Sequence, residues 1–355
     1  MILLGSTGSI GQNALAIAQR YDLNVEVLVA GTRIDILNAQ IAQFHPKQVV
    51  IANASDIHKV NHPHVRAGSA AIIDTIEHSG SSLVVNAMVG FAGLAPTMAA
   101  INAGKKVALA NKESLVVGGA FVNTSRIVPI DSEHFGLWYL QNGRAIRRMI
   151  ITASGGAFRD WPLEAMVNAT LADTQKHPNW SMGQKITIDS ATMMNKLFEL
   201  LEARWLFGEG EYDALIERKS LVHALVDFVD GSMTAHLAHA NMQLPIAYAL
   251  RGRVDEPLLP AMDLVAMGAL EFAPIDVARY PLWELKEDVL RHPHKGVVLN
   301  AANEAAIKRF IAGEIGFMDM ANKVKIAYER FDARPRSIDE VYAWHEEVYQ
   351  TVLTL

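Results

Sequence analysis

Short apolar runs alternate with amphipathic stretches over the first 130 residues of the chain. Runs rich in Val, Ile and Leu predict buried strands, and the segments between several of them, roughly 10–15 residues long, carry apolar residues at the spacings of three and four that predict helices. The predicted strands cover residues 1–4, 25–30, 48–52, 83–88, 106–110 and 127–130. This alternation indicates a parallel, doubly wound sheet of the Rossmann type.

The pattern changes near residue 149. We predict a strand over residues 149–153, one long helix over residues 190–207, and a hairpin of residues 221–229 and 232–237. A proline-punctuated stretch over residues 255–281 leads into a helical C-terminal part. We therefore expect an α/β protein with an N-terminal sheet domain (1–130), a central α/β domain (131–254), a linker (255–281) and a C-terminal helical domain (282–355).

Composition excludes several kinds of chemistry. The 355-residue chain has no cysteine, which rules out disulfides, thiolate metal sites and thiol nucleophiles. Its 38 acidic and 32 basic side chains give a net charge of −6, so we expect no nucleic-acid or membrane partner. An uncharged run over residues 79–104 contains Asn86, Gly90, Gly93 and Pro96, so we expect a strand, a loop and a short helix there instead of a membrane span. A cytoplasmic enzyme is the expectation.

A glycine-rich loop follows the first predicted strand and leads into the first helix. Gly5-Ser6-Thr7-Gly8-Ser9-Ile10-Gly11 has the G-x-x-G-x-x-G spacing of a loop that turns tightly against a dinucleotide pyrophosphate. NAD-binding versions carry an acid about 20 residues further on, for the ribose 2′-hydroxyl. Here the second strand ends in Gly31-Thr32-Arg33, and a cation at that position favours the 2′-phosphate of NADP. A turn that binds no ligand is the alternative.

Three carboxylates are candidates for a metal site. Asp131 and Glu133 follow a predicted strand, where a spacing of two gives them the same facing. Glu199 shares one face of the predicted helix with Asn195 and Glu202, at spacings of four and three. In a protein without thiols, three carboxylates suit a hard cation such as Mg²⁺ or Mn²⁺. Surface salt bridges are the alternative for each acid taken alone.

Groups that bind anions occur in the same part of the sequence. Ser154-Gly155-Gly156 offers a hydroxyl and main-chain N–H groups, and Ser190, Asn195 and Lys196 add polar donors and a cation, which together suit a phosphate monoester. Taken alone, Ser190 is better explained as a helix N-cap. The non-helical segment 177–183 contains His177, Trp180 and Met182 and is a candidate lid; the alternative is a surface loop whose tryptophan packs back on its own domain.

These motifs resemble a known family, the 1-deoxy-D-xylulose 5-phosphate reductoisomerases. The matching blocks are Gly5 to Gly11, Leu109-Ala110-Asn111-Lys112-Glu113-Ser114-Leu115, Asp131-Ser132-Glu133-His134, Ser154-Gly155-Gly156, His177 to Gly183, Asp189 to Lys196 and Leu299-Asn300-Ala301-Ala302-Asn303-Glu304. They occur in the family's order. Two positions depart from it: Thr32-Arg33 after the glycine of the second strand, and Leu197-Phe198 where Gly-Leu is more usual.

The resemblance implies an NADPH-dependent and metal-dependent isomerisation and reduction of 1-deoxy-D-xylulose 5-phosphate, in the non-mevalonate isoprenoid pathway, by a homodimer. It makes residues 1–130 the NADP-binding domain and residues 131–254 the catalytic domain. The implied NADPH contacts are Thr7, Gly8, Ser9, Ile10, Gly31, Thr32, Arg33, Asn111, Glu113 and Gly183. The implied metal ligands are Asp131, Glu133 and Glu199. The implied substrate contacts are Lys112, Ser132, Glu133, Ser154, His177, Ser190, Asn195, Lys196, Glu199, Trp180 and Met182, with Met242 near the pocket; Lys112, Glu133, Glu199 and His177 are the expected catalytic residues.

Two other functions fit parts of the pattern. A semialdehyde dehydrogenase shares a similar glycine loop, but it needs a cysteine nucleophile that this chain lacks. A non-catalytic NADP-binding sensor predicts erosion of the carboxylates and of the phosphate-binding residues, and both sets are present. The reductoisomerase is the function that accounts for all the motifs.

Overall fold

The computed structural model describes all residues, 1–355, and its contacts divide the chain into two compact units. Unit 1 comprises Met1–Ser114, Val122–Asp131 and Asn241–Leu259. Unit 2 comprises Leu115–Phe121, Ser132–Ala240 and Pro260–Leu355. Each unit contains one β-sheet.

The twelve strands differ in length from two residues to eight. They are β1 Ile2–Leu4, β2 Val27–Ala30, β3 Gln48–Ile51, β4 Val65–Ala67, β5 Leu83–Asn86, β6 Lys106–Leu109, β7 Ile127–Pro129, β8 Ile146–Ala153, β9 Glu211–Glu217, β10 Val222–Phe228, β11 Met233–Leu237 and β12 Phe272–Ala273.

Fifteen α-helices connect and cover these strands. They are α1 Ser9–Arg20, α2 Ile34–Phe44, α3 Ser69–His78, α4 Leu94–Asn102, α5 Glu113–Gly118, α6 Ser132–Leu140, α7 Leu171–Thr174, α8 Gln184–Thr192, α9 Met194–Phe207, α10 Gln243–Arg251, α11 Leu264–Met267, α12 Lys286–Arg291, α13 Gly296–Ile311, α14 Phe317–Arg330 and α15 Ile338–Thr354. None is long and apolar enough to cross a membrane, and the uncharged run over residues 79–104 forms β5 and α4.

Unit 1 is built on a seven-stranded sheet in the order β4-β3-β2-β1-β5-β6-β7, with every pair parallel. The strand order reverses beside β1, which pairs with β2 on one side and with β5 on the other. In open α/β sheets ligands bind at this reversal, beyond the carboxyl ends of the strands. The predicted Rossmann-type sheet is confirmed, and the first two residues of the glycine loop follow β1 directly.

Unit 2 contains a mixed sheet in the order β11-β10-β8-β9-β12. The predicted hairpin is confirmed: β10 and β11 pair antiparallel. β8 pairs antiparallel with β10 and parallel with β9, and the buried strand β10 therefore lies inside the sheet. The helices of residues 282–355 belong to this unit, and twelve of the sixteen residues of α13 are buried.

The predicted long helix over residues 190–207 is wrong. The chain forms two helices instead, α8 and α9, with Met193 between them in the left-handed region at φ 66°. Helical spacing of apolar residues continues across the junction, so the sequence pattern hid the break. The strands β4 and β9 were also not predicted, because β4 is a three-residue strand and β9 carries acidic residues that lower its strand propensity.

The compact units divide the chain differently from the predicted domains. Residues 241–259 return to unit 1, where α10 packs on α1, although residues 241–254 were expected in the catalytic domain. The expected linker over residues 255–281 is shared between the units. Residues 282–355 share unit 2 with the central sheet. The two compact units do not show which parts of the chain fold independently, so the separate helical domain stays a prediction.

Candidate active site

The glycine loop packs too closely for side chains at two of its positions. Gly5 has φ +78°, and a Cβ atom there would lie 2.5 Å from the Ala87 carbonyl oxygen. A Cβ atom at Gly11 would lie 2.3 Å from the Gly5 carbonyl oxygen. Glycine at these positions lets the loop turn directly into α1, which begins at Ser9. The N–H groups of the first turn of a helix have no partner within the helix and favour an anion.

Arg33 lies beside this loop. Its guanidinium donates a hydrogen bond to the carbonyl oxygen of Thr7, while Thr7 itself is buried. Gln12 also donates to that carbonyl, over 2.9 Å. Gly31, Thr32 and Arg33 are exposed at the end of β2. The structure therefore brings the predicted 2′-phosphate contact to the predicted pyrophosphate loop.

Asn111 uses its side chain within the protein. Its Nδ2 donates to the carbonyl oxygens of Met88 at 3.0 Å and Gly90 at 2.9 Å, and it lies 3.1 Å from Glu113 Oε2. Its Oδ1 accepts from the Ser114 N–H at 3.2 Å. Both ends of this wholly buried amide are occupied, so its side chain fixes the loop after β6.

Three carboxylates meet where β7 ends. Asp131, Glu133 and Glu199 each offer a ligand atom within 4.8 Å of the other two. The expected facing of Asp131 and Glu133 along a strand is wrong, because β7 ends at Pro129 and Glu133 lies in the first turn of α6. Asp131 reaches the group as the last residue before that helix. The proximity was predicted, but a strand-to-helix turn produces it.

Two lysines contact these acids. Lys112 Nζ lies 2.7 Å from Asp131 Oδ2, and Lys196 Nζ lies 2.8 Å from Glu133 Oε1. Lys196 also pairs with Glu199, which accepts a hydrogen bond from Asn195. The two lysines and three acids are all at least partly buried, where ionised groups need partners of opposite charge. Oxygen ligands with no thiol among them fit a hard divalent cation.

A second group of potential ligands lies next to the first. Asp131, His134 and Glu202 offer atoms within 4.8 Å of one another, and His134 Nδ1 lies 3.4 Å from Glu202 Oε2. His134 Nε2 lies 2.8 Å from the Glu199 carbonyl oxygen, an acceptor, so that nitrogen carries the proton. His134 thus ties α6 to the turn of α9 that carries Glu199.

Two of the predicted anion-binding elements, the turn after β8 and the segment with Ser190 in α8, lie against each other. Gly155 and Gly156 have φ of +90° and +67°, and a Cβ atom at Gly156 would lie 2.7 Å from the Ser190 carbonyl oxygen. The turn after β8 therefore packs directly against the last turn of α8. Ser190 is the seventh residue of that helix, so its alternative role as an N-cap is excluded.

His177 is held in one tautomer beside Ser154. Its Nδ1 accepts from the N–H groups of Asn179 at 3.2 Å and Trp180 at 2.9 Å, so the proton lies on Nε2, which is 2.8 Å from Ser154 Oγ. Burial, and secondarily the charges of Arg159 and Lys196, lower the pKa of His177 to about 4. The imidazole is therefore neutral at pH 7 and donates to Ser154, whose own hydroxyl proton can point to a ligand.

The candidate lid, residues 177–183, has no regular structure and ends at α8, with Gly183 as N-cap. Asn179 Nδ2 anchors it to the Arg218 carbonyl oxygen at 2.8 Å and to Ser220 Oγ at 2.7 Å. The Trp180 ring lies edge-on to His223, with 6.1 Å between centroids. In this conformation the tryptophan packs on its own unit, as the surface-loop alternative expected, while Met182 is half-buried.

Three family models match the chain. Residues 1–119 match the model described as 1-deoxy-D-xylulose 5-phosphate reductoisomerase, residues 127–207 that of its C-terminal domain, and residues 237–351 a model described as DXP reductoisomerase C-terminal domain. The chain is also 54% identical over 353 residues to the reductoisomerase of Wolinella succinogenes, covering 99% of both chains. It belongs to the 1-deoxy-D-xylulose 5-phosphate reductoisomerase family. The reductoisomerase of Nautilia profundicola is 52% identical over 357 residues and 98% of both chains.

Solved structures of this family share the fold. A DOX-P reductoisomerase in complex with NADPH, fosmidomycin and magnesium has a TM-score of 0.93 at 32% identity, covering 99% of this chain and 97% of that one. The enzyme of Zymomonas mobilis in complex with NADPH has a TM-score of 0.89 at 32% identity, with the same coverage.

The sequence did not reveal the residues that donate hydrogen bonds to the main chain of the Ser154-Gly155-Gly156 turn. Tyr280 donates to the Gly155 carbonyl oxygen at 2.7 Å, and burial raises the pKa of this phenol to about 12, so it stays a donor. Arg159 donates to the Ser154 carbonyl oxygen at 3.0 Å. Only the tyrosine's place before Pro281 distinguished it in the sequence.

Met242, expected near the pocket, packs against the core of unit 1.

Proposed function

We infer that the protein is an NADPH-dependent and divalent-metal-dependent reductoisomerase, which converts 1-deoxy-D-xylulose 5-phosphate to 2-C-methyl-D-erythritol 4-phosphate in the non-mevalonate isoprenoid pathway. The observation that carries this inference is the match of the whole chain to relatives of that name at about half identity. Family structures contain NADPH and magnesium, and this chain has a glycine loop for the first and three gathered carboxylates for the second.

For NADPH we propose a site on unit 1. The exposed N-terminal end of α1 suits the pyrophosphate, and Arg33 suits the 2′-phosphate because a guanidinium makes charge-assisted hydrogen bonds to phosphate. Bound NADPH supplies the hydride for the reduction. The residues proposed to contact it are Thr7, Gly8, Ser9, Ile10, Gly31, Thr32, Arg33, Asn111, Glu113 and Gly183.

For the metal we propose Asp131, Glu133 and Glu199 as ligands. Their oxygen donors fit Mg²⁺, and we extend the proposal to Mn²⁺, which accepts the same ligands. A bound divalent cation stabilises negative charge on substrate oxygens during a carbon-skeleton rearrangement. Lys112 and Lys196 pair with these acids here, and with the acids serving as metal ligands the two ammonium groups would be available to substrate oxygens.

For the substrate phosphate we propose Ser154, Ser190, Asn195 and Lys196, with His177 holding the Ser154 hydroxyl in place. The neutral imidazole donates through Nε2, which leaves Ser154 free to donate to a phosphate oxygen. Trp180 and Met182 would cover the substrate when the lid closes and exclude water. Binding energy from the phosphate would help to close it.

For proton handling we propose Lys112 and Glu133. Lys112 Nζ is a donor at the edge of the carboxylate group, and Glu133 Oε2 accepts from Ser132 Oγ at 2.6 Å, so a proton can pass between Glu133 and a substrate hydroxyl along this pair. Glu199, whose backbone His134 contacts, would act as a metal ligand. We further propose a cytoplasmic homodimer.

NADPH oxidation tests the function. Purified protein should consume NADPH only when 1-deoxy-D-xylulose 5-phosphate and Mg²⁺ or Mn²⁺ are both present, and the product should be 2-C-methyl-D-erythritol 4-phosphate. Consumption that continues in excess chelator, or the absence of that product, would contradict the proposal.

A further inference from the structure

Asn303 lies in the C-terminal helix α13, in the motif Leu299 to Glu304, to which the proposed function assigns no task. The residue is 2% exposed, and its Nδ2 donates to Asp189 Oδ1 at 2.7 Å. Asp189 is also 2% exposed and belongs to α8, 114 residues earlier in the chain. This contact joins two distant elements of unit 2 through one buried hydrogen bond.

The carboxylate of Asp189 occupies an unfavourable place. It lies in the last turn of α8, where the helix dipole opposes a negative charge, and it is almost completely removed from water. Lys185, one turn earlier, compensates with Nζ 2.8 Å from Oδ2. The Asn303 amide donates a hydrogen bond to the other carboxylate oxygen, Oδ1. Both oxygens of the carboxylate therefore have a donor, and Asn303 supplies one from outside the helix.

The position of Asp189 determines the position of proposed phosphate ligands. Ser190 is the next residue, and its carbonyl oxygen contacts Gly156, so a shift of this turn moves both. Beyond it, Met193 takes a left-handed conformation that a β-carbon disfavours, and the chain needs surrounding contacts to hold it there. Asn195 and Lys196 follow in the first turn of α9.

α13 is suited to act as the fixed partner. Its residues are mostly buried, and it packs against α14 and α15 as well as α9. A buried side chain in a packed helix holds its geometry more firmly than a loop residue does. The hydrogen bond from the Asn303 amide therefore holds the turn that carries Ser190 in a fixed position relative to the C-terminal helices.

We propose that Asn303 is a positioning residue for the substrate phosphate, acting through Asp189 on Ser190 and on the break between α8 and α9. This inference rests on the proposed function, because Ser190 matters only if it binds the phosphate. Asn303 does not touch the substrate. Its loss should weaken phosphate binding by about 10- to 100-fold, the range seen when residues that orient a binding group are removed.

The test compares Asn303→Leu with the exchange Asp189→Asn plus Asn303→Asp. The leucine keeps the branching at Cγ but removes the donor, while the exchange restores an amide–carboxylate pair in the opposite sense. We expect Asn303→Leu to raise the KM for 1-deoxy-D-xylulose 5-phosphate and the inhibition constant of inorganic phosphate together, with the KM for NADPH unchanged within about twofold. The exchange should recover at least part of that loss. Val324→Ala, a buried change in α14, is the control for destabilisation alone.

Three results would overturn the inference: an unchanged KM for the sugar phosphate in Asn303→Leu, equal increases in both KM values, or the same KM change in Val324→Ala at matched melting temperature. If Asn303→Leu does not fold, the exchange variant is compared with the single variant Asn303→Asp. A wild-type KM in the exchange variant supports the pairing, and a KM as high as that of Asn303→Asp contradicts it. If the wild type does not turn over the sugar phosphate, the proposed function fails. Calorimetric binding of inorganic phosphate to wild type and variants then tests the positioning by itself.

Discussion

The glycine loop of unit 1 and the proposed phosphate-binding turn of unit 2 both suit anions, but they are built differently. The loop is one contiguous stretch, residues 5–11, whose close packing requires glycines and whose donors are main-chain N–H groups. The turn after β8 depends on side chains from separate segments, Ser154, His177 and Ser190, each held by a further residue. The loop takes its donors from one stretch of chain, which Ala87 and Arg33 contact, whereas the second site takes its donors from separate segments of unit 2.

This difference predicts where substitutions have the largest effect. In unit 2, substitutions of the buried charged side chains should reduce turnover most, because each of these side chains contacts several parts of the site. Changes around the glycine loop should affect one cofactor contact at a time.

Glu199→Gln should reduce turnover by at least about 100-fold, since it removes a charged ligand from the carboxylate group. The check is kcat for NADPH oxidation as a function of Mg²⁺ concentration. Glu202→Gln, one turn further along α9 and paired with His134, is the matched control and should keep its Mg²⁺ dependence. Equal losses in the two variants would move the metal to the second group of ligands.

Arg33→Ala should raise the KM for NADPH about 10- to 100-fold, the equivalent of one or two charge-assisted hydrogen bonds to the 2′-phosphate. The KM for NADH, which lacks that phosphate, serves as the internal control and should change little. Equal changes for the two cofactors would show that Arg33 supports the loop through Thr7 and makes no phosphate contact.

His177→Gln should change how stability depends on pH. In the wild type the pKa of His177 is about 4 when folded and near 6.5 when unfolded, so between these values only the unfolded chain takes up the proton. The stability difference between wild type and variant should therefore decrease as the pH falls from 6.5 to 4 and stay constant above pH 7. Denaturant titrations across this range measure it. A pH-independent difference would contradict the buried, neutral imidazole.

Tyr280→Phe should have the smallest effect, a loss of about 1 kcal/mol in the free energy of unfolding, because it removes one buried hydrogen bond and keeps the ring. Chemical denaturation with both proteins under the same conditions would show it. If stability is unchanged while the KM for the sugar phosphate rises, the phenol orients Gly155 without stabilising the fold.

The sequence predicted the elements that repeat a local pattern and missed those set by distant contacts. The parallel sheet, the hairpin and the glycine loop each carry their signal within a short stretch. The break at Met193 leaves no mark in the apolar spacing, because the surrounding packing and not propensity imposes it. Asn303 is likewise an ordinary helical asparagine until the fold brings it to Asp189.

The candidate site shows the same division. Asp131 and Glu133 were brought together correctly, although a helix start and not a strand produces the proximity. The pairing of Lys112 and Lys196 with these acids joins residues many positions apart in the chain, so no spacing rule could predict it.

Binding of Mn²⁺ shows directly whether Asp131, Glu133 and Glu199 hold a divalent cation. Electron paramagnetic resonance measures free Mn²⁺ without any need for turnover. We predict one bound Mn²⁺ per chain that Mg²⁺ displaces, and loss of that binding in Glu199→Gln while Glu202→Gln retains it. Equal binding by wild type and Glu199→Gln would contradict the account.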